Sequence, residues 1–135
     1  MAANPIKIVL DTNILISGIG FGGKPREILH FILDDKIEVI TSPVLLAELE
    51  DVINKKFPKL AYSFALIGEQ IKGKFKIVNP KKSFLVSRDN DDNRVLEAAV
   101  EGRCSYIITG DKDLLDLKTF KNIKIVTPDI FLSEI

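Results

Sequence analysis

The 135-residue sequence predicts an α/β protein built on a mainly parallel, five-stranded sheet with helices on both faces. Three observations carry that expectation. Short apolar, β-branched runs of strand length recur along the chain, the segments between them place apolar residues at helical spacing, and proline or Ser-Pro pairs stand where helices should begin. A hydrophobic content of 46% supplies one sizeable core, so a single domain over residues 1–135 is expected and a disordered chain is excluded.

Ile6 to Leu10 (IKIVL) has the length and composition of a buried strand. Pro25 to Asp34 places Ile28, Leu29, Ile32 and Leu33 on one helical face, with Pro25 suited to the first turn. Ile37 to Thr41 (IEVIT) reads as the second strand, and Ser42-Pro43 supplies an N-cap and first-turn proline for a helix running to Lys56. Pro58 stops that helix, and Leu60 to Lys72 forms another, striped by Leu60, Phe64, Ile67 and Ile71. Phe75 to Val78 is a third strand, turning at Asn79-Pro80. A polar stretch from Ser87 to Asn93 then leads into a helix over Arg94 to Gly102. Ser105 to Thr109 and Ile123 to Thr127 complete the strands, Lys112 to Leu117 makes a short helical turn between them, and Pro128 opens a last short helix.

No apolar run approaches the roughly 18 residues a membrane span needs, and residues 1–10 lack a secretory signal pattern. A cytoplasmic protein without a membrane partner is expected. Cys104 is the only cysteine and His30 the only histidine, so a disulfide or a thiolate zinc cage within the chain is excluded and histidine-based catalysis disfavoured. Both read as structural residues. Net charge is zero, but Lys55 to Lys82 holds eight lysines against one acid, Glu69, leaving +7 there and −7 elsewhere.

Ligands in open α/β sheets bind beyond the carboxyl ends of the strands, and acids stand there. Asp11 follows the first strand within Asp11-Thr12-Asn13, and Asp111 follows the fourth within Thr109-Gly110-Asp111-Lys112-Asp113. Taken singly, each reads first as a cap or turn for the next helix, and it is their equivalent positions on two strands that point to a site. Glu48 sits on the border of the stripe formed by Leu45, Leu49, Val52 and Ile53, where its carboxylate needs either a partner or a path to water. Asp89, Asp91 and Asp92 crowd a helix start, a place the helix dipole favours for acids; Asp92 lies on the row that carries Val95 and Leu96 toward the sheet. Four carboxylates gathered in one pocket repel unless a cation neutralises them, and an all-oxygen set suits Mg²⁺ or Mn²⁺.

Taken together, Asp11-Thr12-Asn13, Leu45-Leu46-Ala47-Glu48-Leu49, the run Asp89 to Asn93 before Leu96-Glu97-Ala98-Ala99, and Thr109 to Leu114 resemble the PIN-domain ribonucleases. The resemblance is closest to the VapC-like branch, known as toxin components of toxin–antitoxin systems, and spans Ile6 to Ile130. It implies a doubly wound, three-layer α/β/α sandwich and a Mg²⁺- or Mn²⁺-dependent endonuclease acting on RNA. Carried onto this chain, it makes Asp11, Glu48, Asp92 and Asp111 the catalytic, metal-binding set. Asp113 becomes an additional acid near a second metal position, and Asn13, Thr109 and Asp91 become supporting groups. It further implies a homodimer and inhibition by a small antitoxin.

Because an acidic pocket repels phosphate, RNA affinity must come from elsewhere, and Lys55, Lys56, Lys59, Lys72, Lys74 and Lys76 are the candidates. The alternative is that they form a solvated helix face. Gly18 to Gly23 (GIGFGG) comes too late after the first strand for a phosphate-binding loop and reads as a flexible hinge. Two other classes compete. A catalytically silent PIN-like binding module would keep the fold alone, and a Mg²⁺-binding receiver domain would need paired acids after its first strand and an Asp after its third, which this chain lacks.

Overall fold

The computed structural model describes residues 5–135, except for the side chains at 67, 68, 71 and 72. Chain order is β1 (Ile6–Leu10), α1 (Thr12–Gly20), α2 (Gly23–Leu33), β2 (Ile37–Thr41), α3 (Pro43–Lys56), a 3₁₀ turn (Pro58–Leu60), α4 (Ala61–Lys72), β3 (Phe75–Ile77), α5 (Asn90–Glu101), β4 (Tyr106–Ile108), α6 (Lys112–Leu117), β5 (Thr119–Phe120), β6 (Ile123–Val126) and α7 (Pro128–Glu134). The strands lie in the order β3-β2-β1-β4-β6-β5. All neighbours run parallel except the two-residue β5, which pairs antiparallel with β6. The sheet therefore has six strands rather than the expected five; Thr119–Phe120 is too short to carry a periodic signal of its own.

Strand alternation divides the core in two. Ile8, Leu10, Val39 and Ile108 pack on one face against Ile14, Ile28 and Ile32 of α1 and α2 and Phe131 of α7. Val9, Ile40, Ile107 and Ile125 pack on the other against Leu96 and Ala99 of α5 and Leu114 of α6. This is the three-layer α/β/α sandwich. The strand order also excludes the receiver arrangement, in which strand 1 lies between strands 2 and 3.

One helix was not foreseen. In α1, Ile14, Leu15, Ile16 and Ile19 are all buried, so the apolar pattern lacks a polar face and shows no amphipathic period. Its glycines are not a hinge. A Cβ on Gly18 would lie 2.8 Å from Leu29 Cδ1, and one on Gly20 would lie 2.6 Å from Leu60 Cδ1, so both let α1 approach its neighbours closely. The true turn is Gly22–Gly23, with φ of +88° and +70°. Arg26 closes the end of α1 by donating from Nε to Gly18 O (2.9 Å) and from Nη2 to Ile19 O (3.0 Å). Helix α5 begins at Asn90, four residues before the expected start, because the Asp89 carboxylate accepts from Asp91 N at 2.9 Å and caps it there. The anticipated stripe positions Ile67 and Ile71 carry side chains outside the described residues.

Candidate active site

Strand order reverses at β1 and β4, and the acids stand beyond the carboxyl ends of these two strands. Asp11 N donates to Ile108 O at 2.9 Å, tying the end of β1 to the end of β4. From there the chain leaves in opposite directions, α1 into one core layer and α6 into the other. Asp11 caps α1 and Asp111 caps α6, so capping and clustering coexist in the same side chains.

A fully buried threonine joins the two. Thr109 Oγ1 donates to Asp11 Oδ2 at 2.7 Å and accepts from Asp111 N at 2.9 Å. Asp11 Oδ1 accepts from Thr12 N at 2.8 Å. Asp111 uses Oδ1 for its cap, accepting from Asp113 N (2.8 Å) and Leu114 N (3.3 Å), so the capping bonds fall on one oxygen of the carboxylate. Asp92 is only 5% exposed and accepts from Ser87 Oγ at 3.1 Å, whereas Asp91 is exposed. Carboxylate oxygens of Asp92, Asp111 and Asp113 lie within 4.8 Å of one another. Asn13 is exposed in the first turn of α1.

Asp11 and Glu48 fall outside that tight triad, yet the same field reaches them. Burial pushes the Glu48 carboxyl up to about 7, reinforced by the charges of Asp91, Asp11, Asp89 and Asp92. Burial also raises Asp92 to about 6, with Asp111 adding to it and the Ser87 hydrogen bond opposing it. Asp11 is raised by burial and by Asp111 and Asp89, against the pull of its Thr109 and Thr12 hydrogen bonds. Each acid thus feels several others. A set of hard oxygen donors whose own charges oppose ionisation fits a divalent cation of the Mg²⁺ class.

Residues 7–113 match the family model of the PIN domain. The chain belongs to the PIN-domain family. This PIN domain is 34% identical over 149 aligned residues to the uncharacterized protein MJ1680 of Methanocaldococcus jannaschii, a match covering 96% of this chain and 91% of that protein. Its fold is similar to a chain of VapBC2 from Rickettsia felis, solved bound to a DNA fragment from their promoter. The TM-score is 0.62 at 14% identity, over 89% of this chain and 97% of the other.

The lysines do not gather at the acids of the PIN domain. Lys55 pairs with Asp51 at 3.1 Å, Lys74 with Asp35 at 2.9 Å, and Lys76 with Glu38 at 3.8 Å. Asp35 and Lys74 precede β2 and β3, at the end of the sheet opposite the acids. Lys56 and Lys59 are exposed, and the Lys72 side chain lies outside the described residues. A cavity of about 790 Å³ also lies at that opposite end, lined by Ile6, Phe31, Ile37 and Leu132, and holds none of the clustered acids.

Sequence reasoning missed the groups that shape the rim. Asn93, fully buried, accepts from Val86 N (3.1 Å) and Ser87 N (2.8 Å) and donates to Ser87 O (2.9 Å). Glu97 accepts from Phe84 N at 2.9 Å, and Glu101 from Lys81 N at 3.0 Å. These three residues recur every fourth position on α5 and bind residues 81–87 along its outer side. That spacing was the available signal. His30 is exposed in the last turn of α2, not packed; Cys104 is buried, which pushes its thiol up to about 12.

Proposed function

We propose that this PIN domain is a divalent-metal-dependent endoribonuclease of the VapC-like branch, hydrolysing RNA phosphodiester bonds as the toxin of a toxin–antitoxin pair. The observation that carries the reading is the convergence of acids from β1, α3, α5 and α6 at the strand-order switch. Asp92, Asp111 and Asp113, with Asp11 and Glu48 beside them, would hold Mg²⁺ or Mn²⁺. When bound, such an ion polarises phosphate oxygens and makes water a better nucleophile.

The chain's own residues supply the rest. Thr109 and Thr12 fix Asp11 in one orientation, and Ser87 does the same for Asp92. Without a bound ion, burial and the neighbouring acids push the Glu48 carboxyl up to about 7, a repulsion that a divalent cation would relieve. Asn13 and Asp91, both exposed, would serve as polar supports of the same site. Lys55, Lys56, Lys59, Lys72, Lys74 and Lys76 remain candidates for RNA contact, with Lys56 and Lys59 favoured because neither is held in a described ion pair.

An antitoxin partner is supported by the fold's likeness to a chain found in a VapBC2 assembly on promoter DNA. A homodimer and a cytoplasmic location belong to the same reading, and no described helix is long and apolar enough to cross a membrane. The test is cleavage of single-stranded RNA with Mg²⁺ or Mn²⁺, comparing wild type with Asp11→Asn and Asp111→Asn. Metal-dependent cutting lost in both variants supports the assignment. Equal cutting by all three proteins rejects it, and metal binding without cutting points to the silent binding module.

A further inference from the structure

Clustered acids draw in a cation but repel a phosphate, so a nucleic acid needs a positive group at the edge of the pocket. Arg88 stands there. Its Nε lies 3.1 Å from Asp113 Oδ2 and its Nη2 lies 3.3 Å from Asp113 Oδ1, so the guanidinium fork engages the carboxylate at both oxygens. Among the described residues it is the one base in an ion pair with the triad.

The pairing leaves the arginine available to a second anion. Its side chain is 86% exposed, and the N–H groups not spent on Asp113 face solvent. Its backbone is held on both sides. Ser87 before it is bonded through its N–H and its carbonyl by Asn93, and Asp89 after it donates from N to Ser87 Oγ at 3.2 Å. An exposed guanidinium on fixed backbone, aimed by a carboxylate, loses little freedom when it takes up a ligand.

Beside it opens a cleft of about 260 Å³ lined by Val86, Ser87, Arg88, Asp113, Asp116 and Leu117. Both acids of that lining already carry a cation, Asp113 from Arg88 and Asp116 from Lys112 at 3.0 Å. Val86 and Leu117 add apolar surface. The lining therefore joins an apolar wall to a cationic fork, which matches the two parts of a nucleotide: a nucleoside that packs and a phosphate that takes paired N–H groups. The fork and the triad share the Asp113 carboxylate, so a phosphate at each would be near neighbours in one strand.

Building on the nuclease reading, we propose that Arg88 is a substrate-binding residue, holding an RNA phosphate next to the one at the triad while the adjoining nucleoside sits in the cleft between Val86 and Leu117. Asp113 then aims the guanidinium, whatever else it binds.

The test is fluorescence anisotropy of labelled single-stranded RNA with Mn²⁺ present, using chains that carry Asp11→Asn to remove cutting. Arg88→Gln and Arg88→Lys are added in turn, with circular dichroism to verify folding. Kd should rise at least tenfold with Arg88→Gln and about threefold with Arg88→Lys, which keeps the charge but not the fork. In otherwise wild-type chains KM should rise in the same order. Mn²⁺ binding by calorimetry should be as tight or tighter in Arg88→Gln, because a cation beside the acids is gone. Inorganic polyphosphate should compete at least tenfold less well than RNA. Unchanged RNA affinity in Arg88→Gln, or weaker Mn²⁺ binding as expected of a residue that only steadies Asp113, overturns the proposal, and equal competition by polyphosphate overturns the seat in the cleft. A wild type that cleaves RNA with Arg88 irrelevant to binding sinks this proposal alone. RNA held through Arg88 but never cut sinks the nuclease reading, and neither binding nor cutting sinks both.

Discussion

Replacing Asp92 by Asn should stabilise the metal-free protein at neutral and alkaline pH while removing its response to metal. Asp92 is buried, and its carboxyl is raised from 3.8 to about 6 by burial and then by Asp111. A shift of that size corresponds to about 3 kcal/mol of unfavourable free energy for the ionised form. Screening in an acidic cleft open to water and the favourable placement of an acid in the first turn of α5 both reduce it, leaving about 1–2 kcal/mol. Because the folded-state value is raised, the Asp92 contribution to wild-type stability is fully present below pH 4 and is lost as pH climbs through 6. The variant's advantage should therefore be absent at pH 4, grow between pH 4 and 6, and be complete above pH 7. For a chain of this size that is roughly 3–8 °C in melting temperature with EDTA present. Thermal unfolding followed by circular dichroism across pH reads it directly, and Mg²⁺ should then raise the wild type's melting temperature more than the variant's. A variant less stable than wild type at pH 8, or an offset independent of pH, would refute the account of the pocket as a repulsive cluster.

Asn93→Ala should destabilise the protein by about 2–4 kcal/mol in urea unfolding, since it orphans two backbone N–H groups and one carbonyl of residues 86 and 87. Amide exchange in residues 81–88 should accelerate most. Gly18→Ala would gain about 1 kcal/mol at an open helical site, but the 2.8 Å approach to Leu29 Cδ1 and 3.1 Å to Pro25 O should turn this into a net loss of about 1–2 kcal/mol, read by the same urea titration. Thr109→Val keeps the shape and removes the hydroxyl between Asp11 and Asp111; cleavage should fall at least tenfold, with weaker Mn²⁺ binding in calorimetry. Lys56→Glu with Lys59→Glu should weaken RNA binding and flatten its salt dependence, whereas Lys74→Glu, whose ammonium is already held by Asp35, should change neither.

The strands that build the switch point were legible because Ile6–Leu10 and Tyr106–Ile108 are buried, β-branched runs with polar punctuation. Helix α3 was legible through Ser42-Pro43, whose cap bond to Leu45 N forms at 3.4 Å. Helix α1 was not, since a mostly buried helix closed by small residues has no broad polar face to reveal its period. In the candidate site, Asp11 and Asp111 stood out by following strands. Which of Asp91 and Asp92 enters the pocket depends on where α5 starts, and a single side-chain cap at Asp89 decides that. The Arg88 contact with Asp113 joins positions 25 residues apart and follows no period, so it emerges only from tertiary structure.

The bond between Thr109 and Asp11 spans 98 positions, and β1 needs β4 as its second neighbour before the acids can meet. A ribosome that has delivered β1 through β3 has therefore made a nascent chain with scattered carboxylates and no assembled pocket. Whatever chemistry the pocket performs is therefore withheld until the fourth strand docks beside the first.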